Sequence, residues 1–160
     1  MRAIIVDPSA PAALRLADVP DPVAGPSQVL LEVHHASLNR GDLNDARSGR
    51  VSPGGVLGSD AAGVVVQAAA DGRGPAAGTR VVGLAPGAFA QRSAVEVSAL
   101  AEVLPSVDLA EAAALPVAGV AALRALRAAG AVLGKRVLIT GASGGDPARP
   151  GLVPRGRLSR

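Results

Sequence analysis

The chain has no cysteine, tryptophan or tyrosine, and Phe89 is its only aromatic residue. Each absence removes a class of chemistry. Without thiols there are no disulfides and no thiolate metal sites. Without aromatics, base stacking and aromatic cages for quaternary amines are excluded. Histidine is scarce as well. His34 and His35 are the only two, and as neighbours on a strand they point to opposite faces and cannot share one ion. No metal site is expected. A long unbroken apolar run is also missing. The stretch 109–129 is interrupted by Glu111, Arg124 and Arg127, so no membrane partner is expected. The N-terminal apolar run is too short for a secretory signal, and a cytoplasmic location is expected.

The charge is +3, but it is localised. Residues 146–160 carry Arg149, Arg155, Arg157 and Arg160 against Asp146, which leaves the other residues balanced. A nucleic-acid surface needs a basic stripe on a folded face, and none is expected here.

What is present is apolar and small. Of 160 residues, 49% are hydrophobic, with 20 Gly and 13 Pro. That length suits one domain, or one domain plus a fragment. Short strands are expected over residues 2–6, 14–17, 28–37, 60–67, 79–84 and 88–95. The segment 28–37 alternates best, with Val29, Leu31 and Val33 on one side. Many short strands punctuated by Gly and Pro indicate a barrel or sandwich. Residues 39–46 suit a short helical turn. Ser106 or Asp108 can cap a short helix over 109–115, with Glu111 at the capping-box spacing from Asp108. Pro116 begins or kinks a second helix that ends at Gly130. Val137, Leu138, Ile139 and Thr140 then read as a strand buried on both faces. A glycine loop follows, formed by Gly141, Ala142, Ser143, Gly144 and Gly145. Such a loop lets a backbone approach phosphates at a helix N-terminus.

Seven segments together carry a family resemblance. They are residues 25–33 (Gly-Pro-Ser-Gln-Val-Leu-Leu-Glu-Val), 37–42 (Ser-Leu-Asn-Arg-Gly-Asp), 57–65 (Leu-Gly-Ser-Asp-Ala-Ala-Gly-Val-Val), 78–84, 87–91, 110–116 and 137–145. In this order they resemble the N-terminal half of a medium-chain dehydrogenase/reductase of the zinc-free quinone oxidoreductase branch. The resemblance implies a mainly β fold. A GroES-like, partly open barrel with short helices would span 1–115. A linker helix, first strand and Gly loop of a truncated α/β Rossmann domain would span 116–145. A disordered tail outside the family pattern would span 146–160.

The same resemblance implies NADPH as cofactor and a quinone or enone as the small-molecule substrate. Hydride transfer would be carried by the cofactor and positioned by the protein. Asn39 would lie beside the nicotinamide, with Asp42 supporting its loop. Asn39 is equally suited to cap a helix, and the two roles are compatible. Gly141, Ala142, Ser143, Gly144 and Gly145 would hold the pyrophosphate. No residue is singled out as catalytic. Zinc-dependent relatives carry a Cys near Asn39 and a His-Glu pair at Ser59-Asp60, and this chain has neither. Ala121 stands where relatives often carry a Thr against the nicotinamide. Asp146 and Pro147 replace the family's Val and last Gly.

The expected chain end is a frameshift or truncation. This chain alone is then expected to be inactive, and the usual dimer interface of the family to be missing. Residues beyond Gly134 are expected to be unpaired or locally disordered. Two other readings stand beside this one. The first is an enoyl-reductase fragment from a polyketide or fatty-acid synthase. The second is a non-catalytic GroES-like binding module.

Overall fold

The computed structural model describes residues 1–140. The Gly141 to Gly145 loop and the tail therefore lie outside the described residues. Among the described residues, seven strands and three α-helices follow one another. These are β1 (Arg2–Val6), β2 (Leu14–Asp18), β3 (Gln28–Ser37), α1 (Arg40–Ser48), β4 (Asp60–Gln67), β5 (Arg80–Leu84), β6 (Arg92–Glu96), β7 (Leu100–Glu102), α2 (Leu109–Ala113) and α3 (Pro116–Ala128).

Five strands form one antiparallel sheet in the order β6-β3-β4-β5-β7, and β1-β2 form a separate hairpin. Bridges from Ala3 to Ala90 and from Ile5 to Val56 tie the hairpin to the segments that lead into β6 and β4. The result is a partly open barrel, as the resemblance implies. Its interior is aliphatic. Val29 and Leu31 of β3 meet Ala61 and Val65 of β4, Val81 of β5 and Val95 of β6, all at 1% exposure or less. Alternation along β3 puts Val29 and Leu31 on this inner face, while Glu32 points outward. β4 is covered on both sides. Its Ala62 faces the opposite way, against Leu109, Ala112 and Ala113 of α2, and this explains the continuous apolar run at its centre.

Local chemistry sets the helices. Asp108, not Ser106, caps α2, its Oδ1 accepting the Ala110 N–H at 2.6 Å. Arg80 holds the loop ahead of it by donating to the Leu104, Pro105 and Val107 carbonyls. Pro116 opens α3 at a position where a missing N–H costs nothing.

Two expectations need correction, and one strand is additional. β6 begins at Arg92, not residue 88. The segment before it turns toward β1, where the Ile4 N–H donates to the Phe89 carbonyl and the Gln91 N–H to the Arg2 carbonyl. β7 has only three residues, Leu100–Glu102, too few for any alternation to announce it. The expected strand at residues 137–140 does not form. Leu138 is 86% exposed, and no ladder partner meets this segment among the described residues. A parallel strand exists only where neighbours accept its backbone groups. An apolar run cannot supply those alone.

Candidate functional site

Asn39 and Asp42 come together at the first turn of α1. Asn39 has extended backbone and is the N-cap. Its Oδ1 accepts the Asp42 N–H at 3.1 Å, and Asp42 Oδ2 accepts the Asn39 N–H at 3.1 Å. This reciprocal box satisfies backbone donors that the helix itself cannot serve. The other Asp42 oxygen, Oδ1, accepts the Ser59 hydroxyl at 2.7 Å. Asp42 is buried, with both its oxygens committed to holding the Asn39 loop against the segment that leads into β4.

Asp60, the first residue of β4, is 2% exposed. Its Oδ1 accepts the Val117 N–H at 2.8 Å, at the start of α3. Burial pushes its carboxyl above the ordinary range. The Val117 N–H and the Asn39 amide oppose that rise, and the nearby Asp42 charge adds to it. The Asn39 amide thus faces the Asp60 carboxylate as a donor too poorly aligned to make a well-formed hydrogen bond. Asn39 Nδ2 is buried with no partner in hydrogen-bond geometry. Leaving such a donor without a well-formed bond costs about 1–3 kcal/mol, a cost that its attraction to the Asp60 carboxylate offsets in part.

Asn39 is also part of the lining of an apolar cleft. The cleft measures about 410 Å³ and is lined by Ile4, Leu14, Leu38, Leu43, Leu57 and Phe89, with Asn39, Arg40 and Asp42 as its polar residues. A second cleft of about 310 Å³ shares Asp42 and Leu57 and continues past Asp45 and Ser59 toward Pro86 and Gly87. Gly58 shapes the wall between the two. Its φ of +105° suits glycine, and an added Cβ would stand 2.6 Å from the Phe89 nitrogen. Bare backbone at Gly58 is what lets the Phe89 ring line the cleft.

The structure therefore joins Asn39 and Asp42, and adds Ser59 and Asp60 to them. Sequence reasoning treats that pair only as a departure from a zinc site. A signal was present: an acid opening an otherwise apolar strand is either a strand end at the surface or a buried group with a partner. Ala121 is exposed on α3. His34 is the extra residue of a bulge, since the β3–β4 register shifts between Val33 and His35. Its nearest acid is Glu32, at 3.7 Å. Among the described residues, no three His, Cys, Asp or Glu gather closely enough to hold a metal ion. Gly141, Ala142, Ser143, Gly144 and Gly145, the expected phosphate loop, lie outside the described residues.

Residues 25–108 match the alcohol dehydrogenase GroES-like domain. The chain is similar in structure to the quinone oxidoreductase from Coxiella burnetii, with 30% identity and a TM-score of 0.74, covering 81% of this chain and 45% of that one. It is also similar to mycobacterial Rv1454c, solved in complex with NADPH, with 30% identity and a TM-score of 0.70, covering 79% of this chain and 40% of that one. In sequence it is 37% identical over 135 residues to the spectinabilin polyketide synthase system protein NorB of Streptomyces orinoci, covering 82% of this chain and 6% of that protein. The chain thus spans under half the length of these solved relatives and a small part of the synthase protein. Among the described residues, no helix is long and apolar enough to cross a membrane.

Proposed function

Because the chain belongs to the family of alcohol dehydrogenase GroES-like domains, within the medium-chain dehydrogenase/reductase superfamily, we propose that it forms the acceptor-side part of a zinc-independent, NADPH-dependent oxidoreductase that reduces a quinone or an enone. The observation that carries this reading is Asn39, held by its reciprocal box with Asp42 in the lining of an apolar cleft. A side-chain amide can offer a carbonyl oxygen a hydrogen bond. Leu38, Leu57 and Phe89 offer the apolar wall that a quinone ring or enone chain would displace water from. When bound, the nicotinamide supplies the hydride. Asn39 is placed to orient a carbonyl at that point, either the nicotinamide carboxamide or the acceptor itself. Asp42 and Ser59 keep the Asn39 loop fixed, so the amide arrives pre-oriented. No side chain at the cleft is a Tyr or His general acid, so the proton that follows hydride transfer comes from solvent.

Alone, this chain is expected to bind the acceptor without turning it over. The test is a titration of the isotope-labelled chain with duroquinone, followed by NMR. The side-chain amide of Asn39 and the backbone amides of Leu38 and Leu57 should shift together and saturate. Asn39→Ser, which keeps a capping oxygen and loses the amide, should abolish the response while leaving the spectrum folded. Shifts confined to other faces of the barrel would overturn the reading.

A second reading is an enoyl-reductase portion of a polyketide synthase, favoured by the 37% identity to the synthase protein. It uses the same cleft and the same chemistry on an enoyl thioester. A short enoyl thioester that shifts Asn39 at lower concentration than duroquinone would favour it.

A further inference from the structure

The apolar cleft beside Asn39 has a neighbour. A groove of about 460 Å³ runs past Leu16, Val33 and Ala36 toward His34, Arg2 and Gln91. Ile4 and Phe89 line both the groove and the cleft. The β1-β2 hairpin sets the two end to end. Leu14 and Leu16 lie two residues apart on β2 and so share a face, and Ile4 of β1 is paired with Leu16. Leu14 lines the cleft and Leu16 lines the groove. Ile4 and Phe89 therefore stand between the two spaces, and the Phe89 ring is the larger part of that partition.

The ring is held in place. The Phe89 N–H donates to the Leu57 carbonyl, and the Phe89 carbonyl accepts from the Ile4 N–H, each at 2.8 Å. Phe89 packs against the buried cluster of Val6, Ala46 and Leu57. The ring also lies against the bare backbone of Gly58, where an added Cβ would stand 2.8 Å from Phe89 Cδ1. Backbone bonds on both sides and packing on the ring make it a fixed wall.

We propose that Phe89 determines specificity: it ends the Asn39 cleft on the groove side and sets the length of ligand that the cleft accepts. The proposal rests on the cleft being the acceptor site. The acceptors it selects are compact, a single quinone ring or a short enone. The cleft, at about 410 Å³, is near the small end of ligand pockets, which span about 300–1,000 Å³. With the ring removed, only Ile4 would separate the cleft from the groove, and an alkyl chain on the acceptor could run on along Leu16 and Val33.

The test compares two quinones that differ in one substituent, duroquinone and trimethyl-hexyl-benzoquinone, titrated into the isotope-labelled full chain and followed by NMR. The amides of Leu38 and Leu57 report the cleft, and those of His34, Ala36 and Gln91 report the groove. In the parent, duroquinone should bind more tightly than its hexyl homologue by about ten-fold or more, with the groove amides unmoved. In Phe89→Ala that preference should vanish or reverse, and the groove amides should shift with the hexyl homologue alone. A purely structural role for Phe89 predicts instead that both quinones weaken alike, and that result would overturn the proposal. So would groove shifts by the hexyl homologue in the parent. Phe89→Leu, which removes less of the ring's volume and stays apolar, should show the same change of preference in smaller degree, and it decides the matter should Phe89→Ala fail to fold. Toluene and hexylbenzene, which carry no carbonyl, separate this proposal from the acceptor reading. If no quinone shifts Leu57, but toluene does and hexylbenzene does so only in the Phe89 variants, the acceptor reading fails and the length limit stands. If neither pair shows a length preference that the variants relax, the length limit is refuted.

Discussion

The barrel and the segment that follows α3 are made of the same residue types and meet opposite fates. Val29, Leu31, Val81 and Val95 are fully buried, whereas Leu133 is 98% exposed and Leu138 86% exposed. Hydrophobicity does not separate the two regions. Ladder partners do. Leu31 sits between Val65 on one side and Ser93 on the other, while residues 137–140 meet no strand among the described residues. Apolar side chains drive burial only where the backbone that carries them also has its hydrogen bonds met.

The sharpest test of that contrast is one substitution made twice. Leu31→Ala should cost about 2–5 kcal/mol, because it empties a site closed on all sides. Leu138→Ala should change stability by less than about 0.5 kcal/mol. Urea midpoints of the two variants measure this, and similar losses would mean that the segment after α3 is packed in solution.

Glycine offers a second paired test, with a change of sign. A Cβ on Gly63 of β4 would overlap the Glu32 carbonyl oxygen of β3, a backbone atom that cannot yield without opening the ladder. Gly63→Ala should cost about 1–3 kcal/mol, as overpacking does. At Gly119 in α3, nothing lies within 4 Å of such a Cβ, and Gly119→Ala should stabilise by about 0.5–1 kcal/mol through helix propensity. A thermal melt of each distinguishes the two. A destabilising Gly119→Ala would show that α3 rests against something in solution.

The same division explains what the sequence could convey. β1, β3 and β4 were readable to the residue, because alternation or a β-branched run is a local property of a strand whose partners are close. Asn39 as a cap of α1 was readable for the same reason: a cap needs only the three residues that follow it. β7 was not readable, being held by β5 rather than by any pattern of its own. The start of β6 was misplaced because residues 88–91 look like a strand but pair with the distant β1 region. In the site, Asn39 and Asp42 lie three residues apart and could be found together. Ser59 reaches Asp42 across 17 residues and Asp60 reaches Val117 across 57, and nothing local announces either contact.

Asn39 itself separates local from long-range chemistry. Asn39→Ala removes the capping oxygen and should cost about 1 kcal/mol. Asn39→Ser replaces the amide by a hydroxyl that can still cap and removes the buried nitrogen, so stability should match the parent's within about 0.5 kcal/mol or exceed it. If Asn39→Ser proves as costly as Asn39→Ala in urea titrations, the amide already has a partner in solution, and the case for an open donor at the cleft falls.

Asp60 gives the smallest effect, visible only as a dependence on pH. Its carboxyl is held above the ordinary value of 3.8, chiefly by burial. The folded state therefore binds its proton more tightly than the unfolded chain does. The stabilisation from that proton is fully present below 3.8 and is lost as the pH rises through the folded value. Asp7 and Asp21 run the other way. The Ser9 hydroxyl and then Arg15 lower Asp7, and the N-terminal ammonium and Arg92 lower Asp21. Their contribution is present above the ordinary value and lost as the pH falls. Both remain in Asp60→Asn, so they cancel when parent and variant are compared at each pH. The difference in stability, parent minus Asp60→Asn, should fall as the pH rises from about 3 and then level off above the folded value. Urea midpoints across that range measure it. A flat difference would mean that Asp60 is solvated and carries no penalty for its charge.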